Sequence, residues 1–172
     1  MVERPSPSHP RERLAFFAET PVDPDTRALV REFVAKLGTL RKWCLGQPEY
    51  IDYHEVPEDD CSGDWCVDHV GGYIEMYSGY PPWKLPRKLE LQHLEEATSF
   101  LRAVGEFSSR HGLDLEVAYG NETIGYIQNG AMDKGLSEVF LGEWRRGLGL
   151  SLRVESSQRM RKKRRIQATG RM

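Results

Sequence analysis

The sequence is short of several things, and each shortage excludes a class. Its longest strictly apolar stretch is Leu14 to Ala18. That is far too short for a membrane span or the hydrophobic stretch of a signal peptide. A soluble, cytoplasmic protein is therefore expected. Cysteine is scarce and odd in number (Cys44, Cys61 and Cys66), which argues against a disulfide framework and for reduced thiols. No nucleophile elbow, P-loop, dinucleotide fingerprint or zinc-protease helix motif occurs. The Gly-x-Gly at 147–149 follows a helical pattern instead of a strand, so it does not read as a phosphate cradle.

What is present suffices for one domain. The chain has 172 residues, 39% of them hydrophobic, enough for an ordinary core. The formal net charge of −2 hides an asymmetry. From Ser151 onward eight basic residues face the single acid Glu155, a net +7, whereas residues 1–150 carry 16 bases against 25 acids, a net −9. An acidic body attracts cationic partners and repels nucleic acid and membrane headgroups. The basic tail on its own would do the reverse.

Periodicity divides the chain into a flexible proline- and charge-rich lead (1–12), one domain (13–150) and a basic, flexible tail (151–172). Leu14, Phe16 and Phe17 suggest a short helical turn. Asp23 as N-cap and Pro24 at the first helical position open a helix to about Cys44, with Leu29, Val30, Phe33, Val34 and Leu37 on one stripe. Tyr50 to Val56 has β composition. The runs 65–70 and 73–78, separated by Gly71-Gly72, read as a hairpin. A second helix spans Arg87 to His111, stopped by Gly112. His93 lies in phase with its apolar stripe and reads as a satisfied core histidine. A hairpin around Gly120-Asn121 follows, with Leu113, Leu115, Val117, Tyr119, Ile124 and Tyr126 expected on the core face. A last helix covers about Gly135 to Leu148, with Leu136, Val139, Phe140 and Trp144 expected to be buried. The fold expected is α+β, two or three helices on a mostly antiparallel sheet built from hairpins, in a single domain.

If Gly71-Gly72 is the turn, Asp68 faces Glu75, and both share a face with Tyr73 and Tyr77. Like charges directly opposite are destabilising unless the face is wet or a cation comes to it. With Asp59, Asp60 and Asp64 in the preceding loop, and Trp83 beyond, these residues form an acidic–aromatic candidate surface for a basic protein. The bland alternative is a solvated sheet face that only keeps the protein soluble. Zinc is a rival, since Cys61, Cys66 and His69 are suitable ligand types. They lack a CxxC pair, however, and in a strand Cys66 and His69 point to opposite faces. No other cofactor is indicated.

The preferred expectation is a non-catalytic acidic protein of the immunity or antitoxin type, which binds and occludes a basic protein such as a nuclease toxin. An alternative is a nucleic-acid-binding regulator using Arg159, Arg161, Lys162, Lys163, Arg164 and Arg165, with or without a zinc knuckle. A third is a small-molecule enzyme using Asp68 and Glu75 as a carboxylate pair, or Cys66.

Overall fold

In the computed structural model the described residues are 5–19, 21–55 and 67–150. Elements follow in the order β1 (Arg11–Ala18), α1 (Pro24–Leu40), β2 (Glu49–Glu55), β3 (Val67–Tyr77), α2 (Arg87–His111), β4 (Leu115–Tyr119), β5 (Glu122–Gln128) and β6 (Ala131–Met132). A π-helical segment, Gly135–Phe140, then runs into α3 (Leu141–Gly147). The sheet has six strands in the order β2-β3-β1-β4-β5-β6, and every neighbouring pair is antiparallel. The expected α+β class is thus what the chain adopts. Its first six elements form a βαββαβ unit with the split arrangement in which β3 lies between β1 and β2.

The helices are built as their sequences dictate. The Asp23 side chain accepts from the Thr26 amide at 2.7 Å, and Pro24 occupies the first turn of α1. Gly112 ends α2 in the left-handed conformation, its amide bonded to the Ser108 carbonyl. The apolar stripes of both helices meet one face of the sheet. Val30, Val34 and Leu37 of α1, with Ala97, Phe100, Leu101 and Val104 of α2, pack against Leu14, Phe16, Val70, Ile74, Met76, Leu115, Val117 and Ile127. All of them are essentially shut off from solvent. His93 is in this core as expected. Its Nε2 accepts from the Tyr77 amide at 3.2 Å, which leaves the proton on Nδ1, facing Glu96 Oε2 at 3.4 Å. Glu96, equally buried, also accepts from the Cys44 amide at 2.6 Å.

Four expectations are corrected. The twin glycines are not a turn: β3 runs unbroken through Gly71 and Gly72. They are needed for close approach. A Cβ on Gly71 would sit 1.7 Å from the Phe16 carbonyl oxygen, and one on Gly72 would sit 2.5 Å from Val34 Cγ2. One glycine admits the neighbouring strand and the other admits the helix. Second, the apolar run at Leu14–Ala18 is the middle of the sheet, and β1 begins at Arg11, inside the supposed loose lead. In that lead His9 is itself buried, its Nε2 donating to the Ser78 carbonyl at 2.7 Å. Third, α1 stops at Leu40. Fourth, the β4–β5 hairpin shifts register between Val117 and Ala118, pairing Leu115 with Ile127 and Val117 with Gly125. Ile127 therefore takes the core position, and Tyr126 is turned outward, exposed.

Candidate functional site

A continuous β3 redistributes the residues expected to form one acidic–aromatic face. Successive side chains alternate. Asp68, Val70, Gly72, Ile74 and Met76 thus face the helices, while His69, Tyr73 and Glu75 face away. Asp68 and Glu75 do not oppose each other, so neither a binding pair nor an acid/base pair is assembled from them. Asp68 sits across from His54 at the end of the β2–β3 ladder. There the Arg27 guanidinium of α1 donates to Asp68 Oδ2 at 2.8 Å and also to Asp52 Oδ1. His54 Nδ1 contacts Asp68 Oδ1, and the Tyr50 hydroxyl donates to Asp52 at 3.1 Å. Burial lowers the pKa of Arg27, but Asp52 and Asp68 more than offset this and hold it above its ordinary value. The cluster ties α1 to the sheet.

The outward face is equally self-contained. Glu75 lies opposite Arg13; it contacts Arg11 at 3.2 Å and Arg13 at 3.9 Å. Tyr73, only 7% exposed, donates its hydroxyl to Glu49 Oε2 at 2.5 Å, with the Arg13 guanidinium 4.3 Å above its ring. Burial, and then the bond to Glu49, push the Tyr73 phenol above its usual ionisation range. His69 pairs with Glu55 at 2.9 Å and stacks on Tyr53 at 4.6 Å. Among the described residues no group of three or more His, Cys, Asp or Glu is arranged to hold a metal ion. Asp59, Asp60, Asp64, Cys61, Cys66 and the basic residues Arg159 to Arg165 lie outside the described residues.

Tyr77 and Trp83 of the expected set lie elsewhere, at the end of the sheet where β3 leaves it. Here a cleft of about 550 Å³ opens between the segment after β3, the β4–β5 turn and the π-helical segment with α3. Four rings run along it in series. Tyr80 and Tyr119 are 5.8 Å apart, Tyr119 and Phe140 5.4 Å, and Phe140 and Trp144 5.7 Å, all tilted or edge-on. Such offsets suit aromatic quadrupoles. Tyr77, Ile124 and Val139 complete the apolar lining, with the carboxylates of Glu90 and Glu143. Trp83 stands in the same segment, 42% exposed, its ring 5.1 Å from that of His9.

The wall owes its shape to two glycines and one aspartate. A Cβ on Gly125 would meet Asp133 Oδ1 at 2.4 Å, and one on Gly135 would meet the Ile124 carbonyl oxygen at 2.5 Å. Their bare backbones let the π-helical segment lie directly on β5. Asp133 then locks the junction, Oδ1 accepting from the Leu136 amide at 3.0 Å and Oδ2 from the Tyr126 amide at 2.9 Å. A π-helical turn of this kind is uncommon and often accompanies a functional site.

Electrostatically the cleft differs from the β3 face. Burial, supplemented by Tyr80 and Glu12, pushes the Tyr119 phenol far above its usual ionisation range. Tyr80 is raised by burial and then by Glu122 and Glu12. Four carboxylates thus bear on the cleft: Glu12, Glu90, Glu122 and Glu143. Glu143 has one loose contact, with Arg146 at 3.7 Å, both side chains more than half exposed. Glu12, Glu90 and Glu122 pair with no cation among the described residues. Sequence reasoning missed most of this site, because its lining comes from three separated stretches of chain.

No described helix is long and apolar enough to cross a membrane. Compared with protein-family models, curated proteins and solved structures, the chain matches none.

Proposed function

We propose that the protein acts by stoichiometric binding, docking a basic protein onto the aromatic cleft in the manner of an immunity or antitoxin-type inhibitor. The observation that supports this reading is the cleft itself: four rings in series beside two carboxylates, Glu143 held only by a loose contact with Arg146 and Glu90 paired with no cation among the described residues. Tyr80 and Val139, both more than half exposed, line it, and the half-exposed Trp83 stands alongside. A concave apolar patch rimmed by charge is the usual form of an interaction site. The net −9 of residues 1–150 would steer a basic partner towards the protein. The surface first expected around Asp68, Tyr73 and Glu75 is not part of this reading, since Asp68 is held by Arg27, Tyr73 by Glu49, and Glu75 by Arg11 and Arg13.

Capture from lysate of the native host tests it, using the full chain, the double variant Glu90→Lys/Glu143→Lys and the control Glu75→Lys. A basic protein retained by the wild type and Glu75→Lys at low salt, and lost from the cleft variant, is the expected outcome. Equal retention by all three, or no basic protein retained by any, would overturn it. Retention should also fall as salt rises.

A further inference from the structure

We infer that the cleft is a receptor for an arginine side chain presented by the partner, and this rests on the binding reading above. The reason lies in how the molecule treats its other aromatic rings. Four arginine–ring contacts occur among the described residues: Arg11 over Tyr77 at 5.9 Å, Arg13 over Tyr73 at 4.3 Å, Arg31 over Tyr50 at 5.1 Å and Arg41 over Trp43 at 5.7 Å. In three of these the same guanidinium also meets a carboxylate: Arg11 and Arg13 on Glu75, and Arg41 on Glu95 at 3.3 Å. Ring, guanidinium and carboxylate recur as a unit.

Past Tyr77, which Arg11 covers, the cleft has two parts of that unit in place, and among the described residues no guanidinium lies over its four serial rings. Tyr80, Tyr119, Phe140 and Trp144 supply the rings, and Glu90 and Glu143 supply carboxylates along the same lining. No arginine or lysine of the described chain lies over any of the four rings. A guanidinium fits this lining better than an ammonium. It is planar, it stacks on aromatic faces, it sheds water more readily, and its fork can bond two carboxylate oxygens at once. The raised Tyr119 phenol stays neutral and keeps its O–H as a donor, while adding no charge that would compete with the carboxylates. The cleft volume of about 550 Å³ lies in the range of sites that enclose small ligands. It has room for the neighbouring backbone of an extended segment as well as the side chain.

The probe is the peptide acetyl-Gly-Arg-Gly-amide, titrated into the isotopically labelled full chain and followed by amide NMR. Its counterparts carry citrulline, which keeps the shape and removes the charge, or lysine. Saturable shifts confined to the amides around Tyr80, Tyr119, Phe140 and Trp144 are expected. Affinity should be about tenfold weaker for citrulline, with lysine in between. Glu90→Gln should weaken the arginine peptide and leave the citrulline peptide unchanged. Shifts spread over the whole acidic surface, or equal affinity for arginine and citrulline, would overturn the inference. If the peptide fails while lysate capture depends on Glu90 and Glu143, the binding reading stands without the arginine pocket. If the peptide binds and no basic protein is captured, the pocket stands and the reading falls.

Discussion

Two regions of this molecule use the same kinds of side chain to opposite ends. On the outward face of β3, tyrosines and carboxylates meet arginines from β1, and every charge is answered from within the chain. In the cleft, Tyr80, Tyr119, Phe140 and Trp144 have no arginine over them among the described residues, and Glu90 pairs with no cation there. The difference is one of register and reach. Strand pairing sets Arg13 directly against Glu75 and Arg11 beside it, so neutralisation is built into the ladder. The cleft is formed by segments that meet only in the tertiary fold, and among the described residues none of them brings a base over Tyr80, Tyr119, Phe140 or Trp144. A tyrosine–carboxylate pattern is therefore no evidence of a binding face until the cations around it have been counted.

The largest effect that could break this contrast is on the register itself. Gly71→Ala drives a Cβ into the Phe16 backbone, where no side-chain rotation can relieve the clash. We expect a loss of about 3 kcal/mol or more by chemical denaturation, together with lost chemical-shift signatures of the Arg13–Glu75 and Arg13–Tyr73 contacts. The cleft should suffer less, since β4, β5 and the π-helical segment do not touch Gly71. A mild effect would mean that β3 and β1 can slide, and that the pairing of charges is not fixed by the ladder.

The next effect compares like substitutions at the two sites. Glu75→Lys removes two ion pairs and sets three positive side chains side by side, for an expected cost of about 1–2 kcal/mol. Glu90→Gln removes a carboxylate that pairs with nothing in the described chain. Its stability should stay within about 0.5 kcal/mol of wild type, with the loss showing in binding alone. If Glu90→Gln destabilises as much as Glu75→Lys, the cleft carboxylates are structural and the contrast disappears.

How far this was legible in the sequence follows the same division. Helix α2 could be read to the residue, because a long apolar stripe at helical spacing and a terminal glycine each have one physical meaning. The turn at Gly120-Asn121 was equally readable, but not the bulge beside Val117, which exchanges Tyr126 for Ile127 on the core face. The glycine pair misled because the absence of a side chain serves a turn and a tight strand crossing alike. Only the neighbours, Phe16 and Val34, decide between them, and both are distant in sequence. Leu14–Ala18 carried the matching ambiguity, since a short apolar run suits a buried strand as well as a helical turn. Tyr77 in the cleft and Trp83 beside it were picked out by residue type, whereas Tyr119, Phe140 and Trp144 read as ordinary core residues. Their partial exposure is a tertiary property that no local spacing encodes.

The smallest effect sharpens the comparison at alkaline pH. Tyr73 and Tyr119 both have phenols raised by burial, but the Tyr73 hydroxyl is spent on Glu49, while that of Tyr119 has no hydrogen-bond partner among the described residues. Tyr73→Phe should therefore cost about 1 kcal/mol near neutral pH, the usual value of a lost internal hydrogen bond, and Tyr119→Phe should cost almost nothing there. Above the ordinary tyrosine value of 10.0 the order changes. The unfolded chain loses the Tyr119 proton while the folded chain keeps it, so the stability this group contributes is complete below that pH. It drains away as the pH climbs towards the higher folded value. Tyr119→Phe has no such proton to lose, and its denaturation midpoint should decline less steeply with pH than that of the wild type. Parallel declines would show that Tyr119 is open to water, and the cleft would then lack the desolvated wall on which recognition of a guanidinium depends.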